Sequence, residues 1–184
     1  MSGATESAAL TTPSRETLGE TSDSCAADRR RLRTSRSVTT MVAVSRTLTV
    51  AKPLDEVFSY LSDFTSTEQW DPGTVETTRL SGDGGLGTRY RNVSKFLGKR
   101  VELTYETTRL EPDAVFEVTG RNDSVTTKDE ILFASTPAGT EIRYTADFTF
   151  HGAVAKVPDA VLRLPLERLA DKTVRQMEDT LAGL

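Results

Sequence analysis

From residue 42 onward the chain alternates apolar and polar positions, broken by short helical spacings. In VAVSRTLTVA, residues 42–51, the alternation and the β-branched residues predict a strand. Pro53 follows, and Val57, Leu61 and Phe64 recur at i, i+4, i+7, with Phe58 beside Val57. That spacing predicts a helix with one apolar face, opened by Pro53 and with Asp55 and Glu56 at its positive end. A second short helical segment, TSTEQW, ends at Trp70, and Asp71-Pro72-Gly73 breaks it.

Period two then takes over. Val75–Leu80 is a strand candidate, followed by the turn Ser81-Gly82-Asp83-Gly84-Gly85. Gly87–Phe96 puts Tyr90, Asn92, Ser94 and Phe96 on one side and Arg89, Arg91 and Lys95 on the other. Leu97-Gly98-Lys99 turns the chain into Arg100–Arg109, where Val101, Leu103, Tyr105 and Thr107 share a face. Val115–Thr119 carries Phe116 and Val118. Val125–Ala134 carries Val125, Thr127, Asp129, Ile131 and Phe133 on one face. Thr136-Pro137-Ala138-Gly139 closes a hairpin into Glu141–Phe150, with Ile142, Tyr144, Ala146, Phe148 and Phe150 on one face. Closely spaced strands with short Gly/Pro turns predict an antiparallel meander with one apolar face.

The chain ends in a helical pattern from Pro158 to Leu184. Leu162, Leu166, Leu169, Val174, Met177 and Leu181 form its apolar stripe. Pro165 lies inside that pattern and is expected to kink or restart the helix, and Gly183 to stop it.

Residues 1–40 share none of this. They hold no aromatic residue, are dominated by Ser and Thr, and show no apolar period. Such a segment cannot bury enough apolar surface to offset its ordering entropy. It is read as a disordered Ser/Thr/Arg-rich tail before one domain over 41–184. Its Arg29-Arg30-Arg31 run precedes no apolar signal core, and five acidic residues do not suit a transit peptide.

Composition narrows the function classes. The 184 residues carry a net charge of −4, without the basic balance of a nucleic-acid binder. No run reaches the roughly 18 apolar residues of a membrane span. A cytoplasmic monomer or homodimer, with no nucleic-acid partner and no stable membrane insertion, is the corresponding expectation. The single Cys25 forms no internal disulfide. One Cys and one His do not supply the about four N/S ligands of a structural zinc site. No metal and no cofactor are expected.

The order strand, two short helices, about six strands and a long helix predicts an α+β fold. A curved antiparallel sheet of about seven strands wraps the C-terminal helix, leaving a concave, mostly apolar space with a few polar groups, the usual form of a small-molecule site.

Several stretches resemble, in order and spacing, the START/Bet v 1-like (SRPBCC) superfamily, in particular its bacterial polyketide cyclase/dehydrase-like branch. They are Pro53-Leu54-Asp55-Glu56-Val57-Phe58, Trp70-Asp71-Pro72-Gly73, Gly87-Thr88-Arg89-Tyr90, Phe96-Leu97-Gly98-Lys99, Asp129–Phe133, Gly139-Thr140-Glu141-Ile142 and Tyr144-Thr145-Ala146-Asp147. The resemblance covers about residues 42–182 and implies a helix-grip fold around a hydrophobic cavity. It implies functions from lipid or ligand carriage to aromatase/cyclase work and co-chaperone action. The superfamily has no single catalytic motif, so no catalytic role is carried over.

The expected function is therefore binding of a lipid-like or polyketide-like molecule between sheet and helix. The alternative is a cyclase/dehydratase-type enzyme. Expected cavity residues are Trp70, Tyr90, Asn92, Tyr105, Phe116, Asp129, Phe133, Tyr144, Phe148, Leu162, Leu166 and Met177. Trp70 either lines the entrance or anchors its loop. His151 is either a base at the cavity mouth or a polar strand end. Its parity with Thr149 and Asp147, opposite Phe148 and Phe150, favours the strand end. Asp129 is the best catalytic candidate, with Tyr105 or Tyr144 as its partner. A carboxylate desolvated on the inner face has a raised pKa and can serve as acid or base, unless hydroxyls, backbone or a rim position simply satisfy it.

Overall fold

Strands joined by short turns pair antiparallel with their chain neighbours, and here they form one antiparallel sheet in which the first strand lies beside the last. The computed structural model describes residues 39–184, so the tail reading lies outside the described residues except at its last two positions. The strands are β1 (Thr40–Val50), β2 (Thr74–Ser81), β3 (Arg89–Phe96), β4 (Lys99–Glu111), β5 (Val115–Arg121), β6 (Val125–Thr136) and β7 (Gly139–Phe150). Thr40, assigned to the tail from sequence, opens β1 instead, and its hydroxyl donates to the Ala155 carbonyl at 2.8 Å.

The strand order is β1-β7-β6-β5-β4-β3-β2. After β1 the chain passes through α1 (Leu54–Ser62), a 3₁₀ turn over Phe64–Ser66 and α2 (Thr67–Trp70) to the opposite edge. It then meanders back until β7 pairs with β1. The hairpin turns carry the chemistry this requires. Gly139 has φ of 122°, and a Cβ there would fall 2.1 Å from the Val50 carbonyl oxygen, so only glycine fits.

The last helix, α3, spans Asp159–Ala182 without interruption. Pro165 neither ends nor restarts it. The carbonyl it leaves unbonded, four residues back, belongs to exposed Val161, where water can take the bond. The buried stripe is Leu162, Leu166, Ala170, Thr173, Met177 and Leu181. Leu169 and Val174 are only half-buried, because the small residues Ala170 and Thr173 take the positions nearest the sheet. Gly183 closes the helix in a right-handed conformation, its N–H bonded to Thr180.

Val42, Val44, Arg46, Leu48 and Val50 share the inner parity of β1. Arg46 uses it to clamp α3. Its Nε donates to Asp171 at 2.7 Å and its Nη2 to Glu167 at 2.6 Å.

The inner face of the sheet is filled on one half only. There α1, the 3₁₀ turn and the C-terminal half of α3 supply Val57, Leu61, Phe64, Met177 and Leu181 against Tyr90, Phe116, Ile131, Phe133 and Ile142. Phe64 packs its ring 5.2 Å from Tyr90 and 4.7 Å from Tyr105, and Phe58 lies 5.2 Å from Phe133. The other half, at the start of β1, the ends of β3 and β7 and the starts of β4 and β6, meets the N-terminal half of α3 and the short 3₁₀ turn Val154–Lys156 before it.

Candidate functional site

That unfilled half is a cavity of about 690 Å³. Its apolar wall comes from Phe96, Val101 and Leu103 on the β3–β4 hairpin, Val125 on β6, Ala146, Phe148 and Phe150 on β7, and Leu162, Leu166 and Ala170 on α3. Small side chains make the room. Ala146 and Ala170 stand where larger residues would join sheet to helix.

One end of the cavity is polar, and Asp129 is its centre. Parity along β6 turns Asp129 inward with Thr127 and Ile131. Tyr144, on the neighbouring β7, donates its hydroxyl to Asp129 Oδ1 at 2.8 Å. Thr127 donates to Oδ2 at 3.2 Å. Loss of water raises the Asp129 pKa from 3.8 to about 6. The Tyr144 and Thr127 hydrogen bonds oppose that rise, and the charge of Asp71 adds to it. Burial, followed by the Asp129 charge, pushes the Tyr105 and Tyr144 phenols well above their ordinary range, so both remain neutral donors.

Asp71 is a second carboxylate lining the cavity. Its Oδ1 accepts from the Gly73 N–H at 3.0 Å and from Thr173 on α3 at 3.2 Å, and its Oδ2 from Thr74 at 2.7 Å. Burial raises its pKa too, against the pull of those bonds. Sequence reasoning took Asp71 only as a helix breaker. The spacing Asp-Pro-Gly-Thr did signal a side chain folded back on its own turn. Nothing local signalled that Thr173, 102 positions away, would close it against α3.

Of the expected cavity residues, Tyr105, Asp129, Tyr144, Phe148, Leu162 and Leu166 line this space. The other six do not. Tyr90, Phe116, Phe133 and Met177 lie in the packed half, under α1 and the 3₁₀ turn. Asn92 is tied into a buried polar network, donating to Thr77 at 2.8 Å and Thr74 at 3.2 Å and accepting from Ser94. Trp70 is an anchor. Its indole N–H donates to Ser66 at 2.9 Å, and its ring meets Tyr144 edge-on at 6.2 Å, backing the residue that holds Asp129. His151 sits just past β7 with its Nε2 3.0 Å from the Thr126 hydroxyl and is not one of the lining residues.

At the mouth, the β3–β4 hairpin brings exposed Lys95, Leu97, Lys99 and Arg100 to the rim. Among the described residues no group of three or more His, Cys, Asp or Glu side chains could hold a metal ion. No described helix is long and apolar enough to cross a membrane.

The family model described as "Polyketide cyclase / dehydrase and lipid transport" matches residues 41–182. The chain belongs to that family. The helix-grip architecture fits it: seven antiparallel strands, short helices after the first, and a long C-terminal helix. Solved structures similar to this family member include the Zhui aromatase/cyclase from Streptomyces sp. R1128, at 22% identity, 78% of this chain, 93% of that chain and a TM-score of 0.62. Another is Ara h 8.0201, at 16% identity, 79% and 100% coverage and a TM-score of 0.58. A third is the di-domain aromatase/cyclase StfQ of the steffimycin biosynthetic pathway, at 16% identity, 78% and 52% coverage and a TM-score of 0.60. A search of curated proteins gives no match.

Proposed function

We propose that this protein binds an apolar small molecule, lipid-like or polyketide-like, in the cavity between the sheet and α3. The observation that carries this reading is the cavity itself. A volume of about 690 Å³ with apolar walls and polar groups gathered at one end is the usual form of a specific small-molecule site. Gently purified protein examined by native mass spectrometry is expected to retain a ligand or to take up the apolar dye N-phenyl-1-naphthylamine in a one-to-one complex. Ala146→Leu, which adds bulk to the wall, is expected to weaken uptake. A protein that carries nothing and takes up no dye contradicts the reading.

A second reading has its own support. Asp129, half-buried on the cavity wall with Tyr144 at 2.8 Å and a pKa near 6, is suited to proton transfer near neutral pH. As base it would take a proton α to a ligand carbonyl, while the neutral Tyr105 phenol stabilises the enolate oxygen by a hydrogen bond. Two solved structures of similar fold are described as aromatase/cyclases. Unchanged turnover of a polyketide-type substrate by Asp129→Asn contradicts this assignment and leaves the binding reading standing.

A further inference from the structure

The polar end of the cavity has an uneven chemistry. Its two carboxylates, Asp71 and Asp129, belong to different elements and meet at one apolar space. Neither takes part in any ion pair among the described residues. Their partners are hydroxyls and one backbone N–H. A carboxylate offers about four lone-pair sites. Asp129 uses two and Asp71 three in these bonds, so both keep acceptor capacity. Buried charge without a counter-charge is costly, and a fold ordinarily pairs it. The cations that touch the cavity, Lys95, Lys99 and Arg100, are exposed at the rim, where water and salt screen them.

We propose that the molecule this cavity takes is a lipophilic amine, with its ammonium nitrogen against the Asp71 and Asp129 carboxylates and its hydrocarbon along Phe148, Leu162 and Leu166. The inference rests on the binding reading above and names the chemical class of the ligand. An ammonium supplies the charge that the polar end lacks, and up to three N–H donors for the open acceptor sites. A fatty acid of the same length would set a further negative charge beside two carboxylates. A neutral alcohol would donate one hydrogen bond and leave the charges uncompensated.

Isothermal titration of the full chain with decylamine, decanol and decanoic acid tests this, at about pH 7.5 and about 0.15 M salt. The amine is expected to bind at least about tenfold tighter than the alcohol, with the acid weakest. In Asp129→Asn and in Asp71→Asn the amine-to-alcohol ratio of affinities is expected to fall toward one. The ratio is read only for a variant whose thermal unfolding remains cooperative, and the three-ligand comparison on the unaltered protein stands without either. Decanol or decanoic acid binding as tightly as decylamine overturns the amine assignment and leaves the cavity reading intact. Binding of none of the three overturns both.

Discussion

Tyr105 on β4 lays the outer half of its ring over the Cα of its register partner on β5, Gly120: a Cβ built there would fall 2.6 Å from the ring Cζ. Glycine is therefore what allows the ring to lie across the strand. Gly120 is in turn paired with Thr127 on β6, so the ring that crosses it ends beside the Thr127–Asp129 group. Alanine normally suits a strand better than glycine, yet Gly120→Ala is expected to destabilise by about 1–3 kcal/mol, as overpacking does. Calorimetry should show a lower Tm and near-UV circular dichroism a displaced tyrosine. An unchanged or higher Tm would mean that Tyr105 moves freely.

Tyr144→Phe removes the 2.8 Å hydrogen bond to Asp129 Oδ1. That bond favours the ionised carboxylate and so holds its pKa down against desolvation. Its loss is expected to raise the Asp129 pKa further above about 6, followed by carboxyl carbon chemical shifts over a pH titration. A pKa that falls instead would mean that the phenol stabilises the protonated acid.

Asp129→Asn tests the same group through stability. An acid whose pKa is higher in the fold than in the unfolded chain favours the fold when protonated. Asp129 rises from 3.8 to about 6, through burial above all. Its contribution is therefore fully present below pH 3.8 and lost as the pH climbs through about 6. Between about pH 4 and about pH 8 the unaltered protein is expected to lose at most about 3 kcal/mol relative to the variant, at about 1.36 kcal/mol per pKa unit. Tyr144, Tyr105, Thr127 and Asp71 face Asp129. The phenols stay neutral in this range, and Asp71, raised in the same direction, contributes to both proteins. Urea titrations at several pH values give the difference. A gap between the two proteins that does not change with pH would place the ionised Asp129 in water.

The face of each strand was legible because period two is a direct consequence of the pleat. Asp129, Tyr144 and Phe148 on the inner wall follow from parity alone. What parity cannot give is position along the strand. Tyr90, Phe116 and Phe133 have the same inward parity as Tyr105 and Phe148, but α1 and Phe64 fill the half of the sheet where they lie. The dividing line is set by where the helices cross, a long-range fact with no local signal. Asp71 was missed for the same reason, since its contact with Thr173 joins a loop to α3. Arg46 is a further case: parity places it on the apolar face of β1, and its partners Asp171 and Glu167 on α3, which it clamps, have no local signal.

That clamp is testable by charge and by shape. Arg46 reaches Asp171 through Nε and Glu167 through Nη2, a fork that one lysine nitrogen cannot reproduce. Isolated surface pairs contribute about 0–1 kcal/mol, but a planar fork on two acids lies at the upper end. Arg46→Ala is expected to destabilise by about 1–2 kcal/mol, with Arg46→Lys recovering less than half. The loss should shrink in high salt, since the partners are part-exposed. Chemical denaturation by urea at low and high salt provides both numbers. A full rescue by lysine would reduce the fork to a simple point charge.

The β3–β4 turn predicts a gain. Leu97 and Gly98 both have left-handed backbones, with φ of 49° and 77°, the pairing of a two-residue hairpin whose twist matches its strands. Glycine adopts this readily. Leucine does so at about 1–2 kcal/mol, because its Cβ crowds the following carbonyl. Leu97 is also 62% exposed, so packing returns little of that cost. Asparagine tolerates the left-handed region, and Asn-Gly is the favoured pair for this turn. Leu97→Asn is therefore expected to raise stability by about 0.5–1 kcal/mol, read as a higher Tm in the absence of ligand. Should the Tm fall, Leu97 must gain more from the apolar rim beside Phe96 than its backbone loses. The same substitution would then weaken uptake of an apolar dye, which an isolated turn effect would leave unchanged.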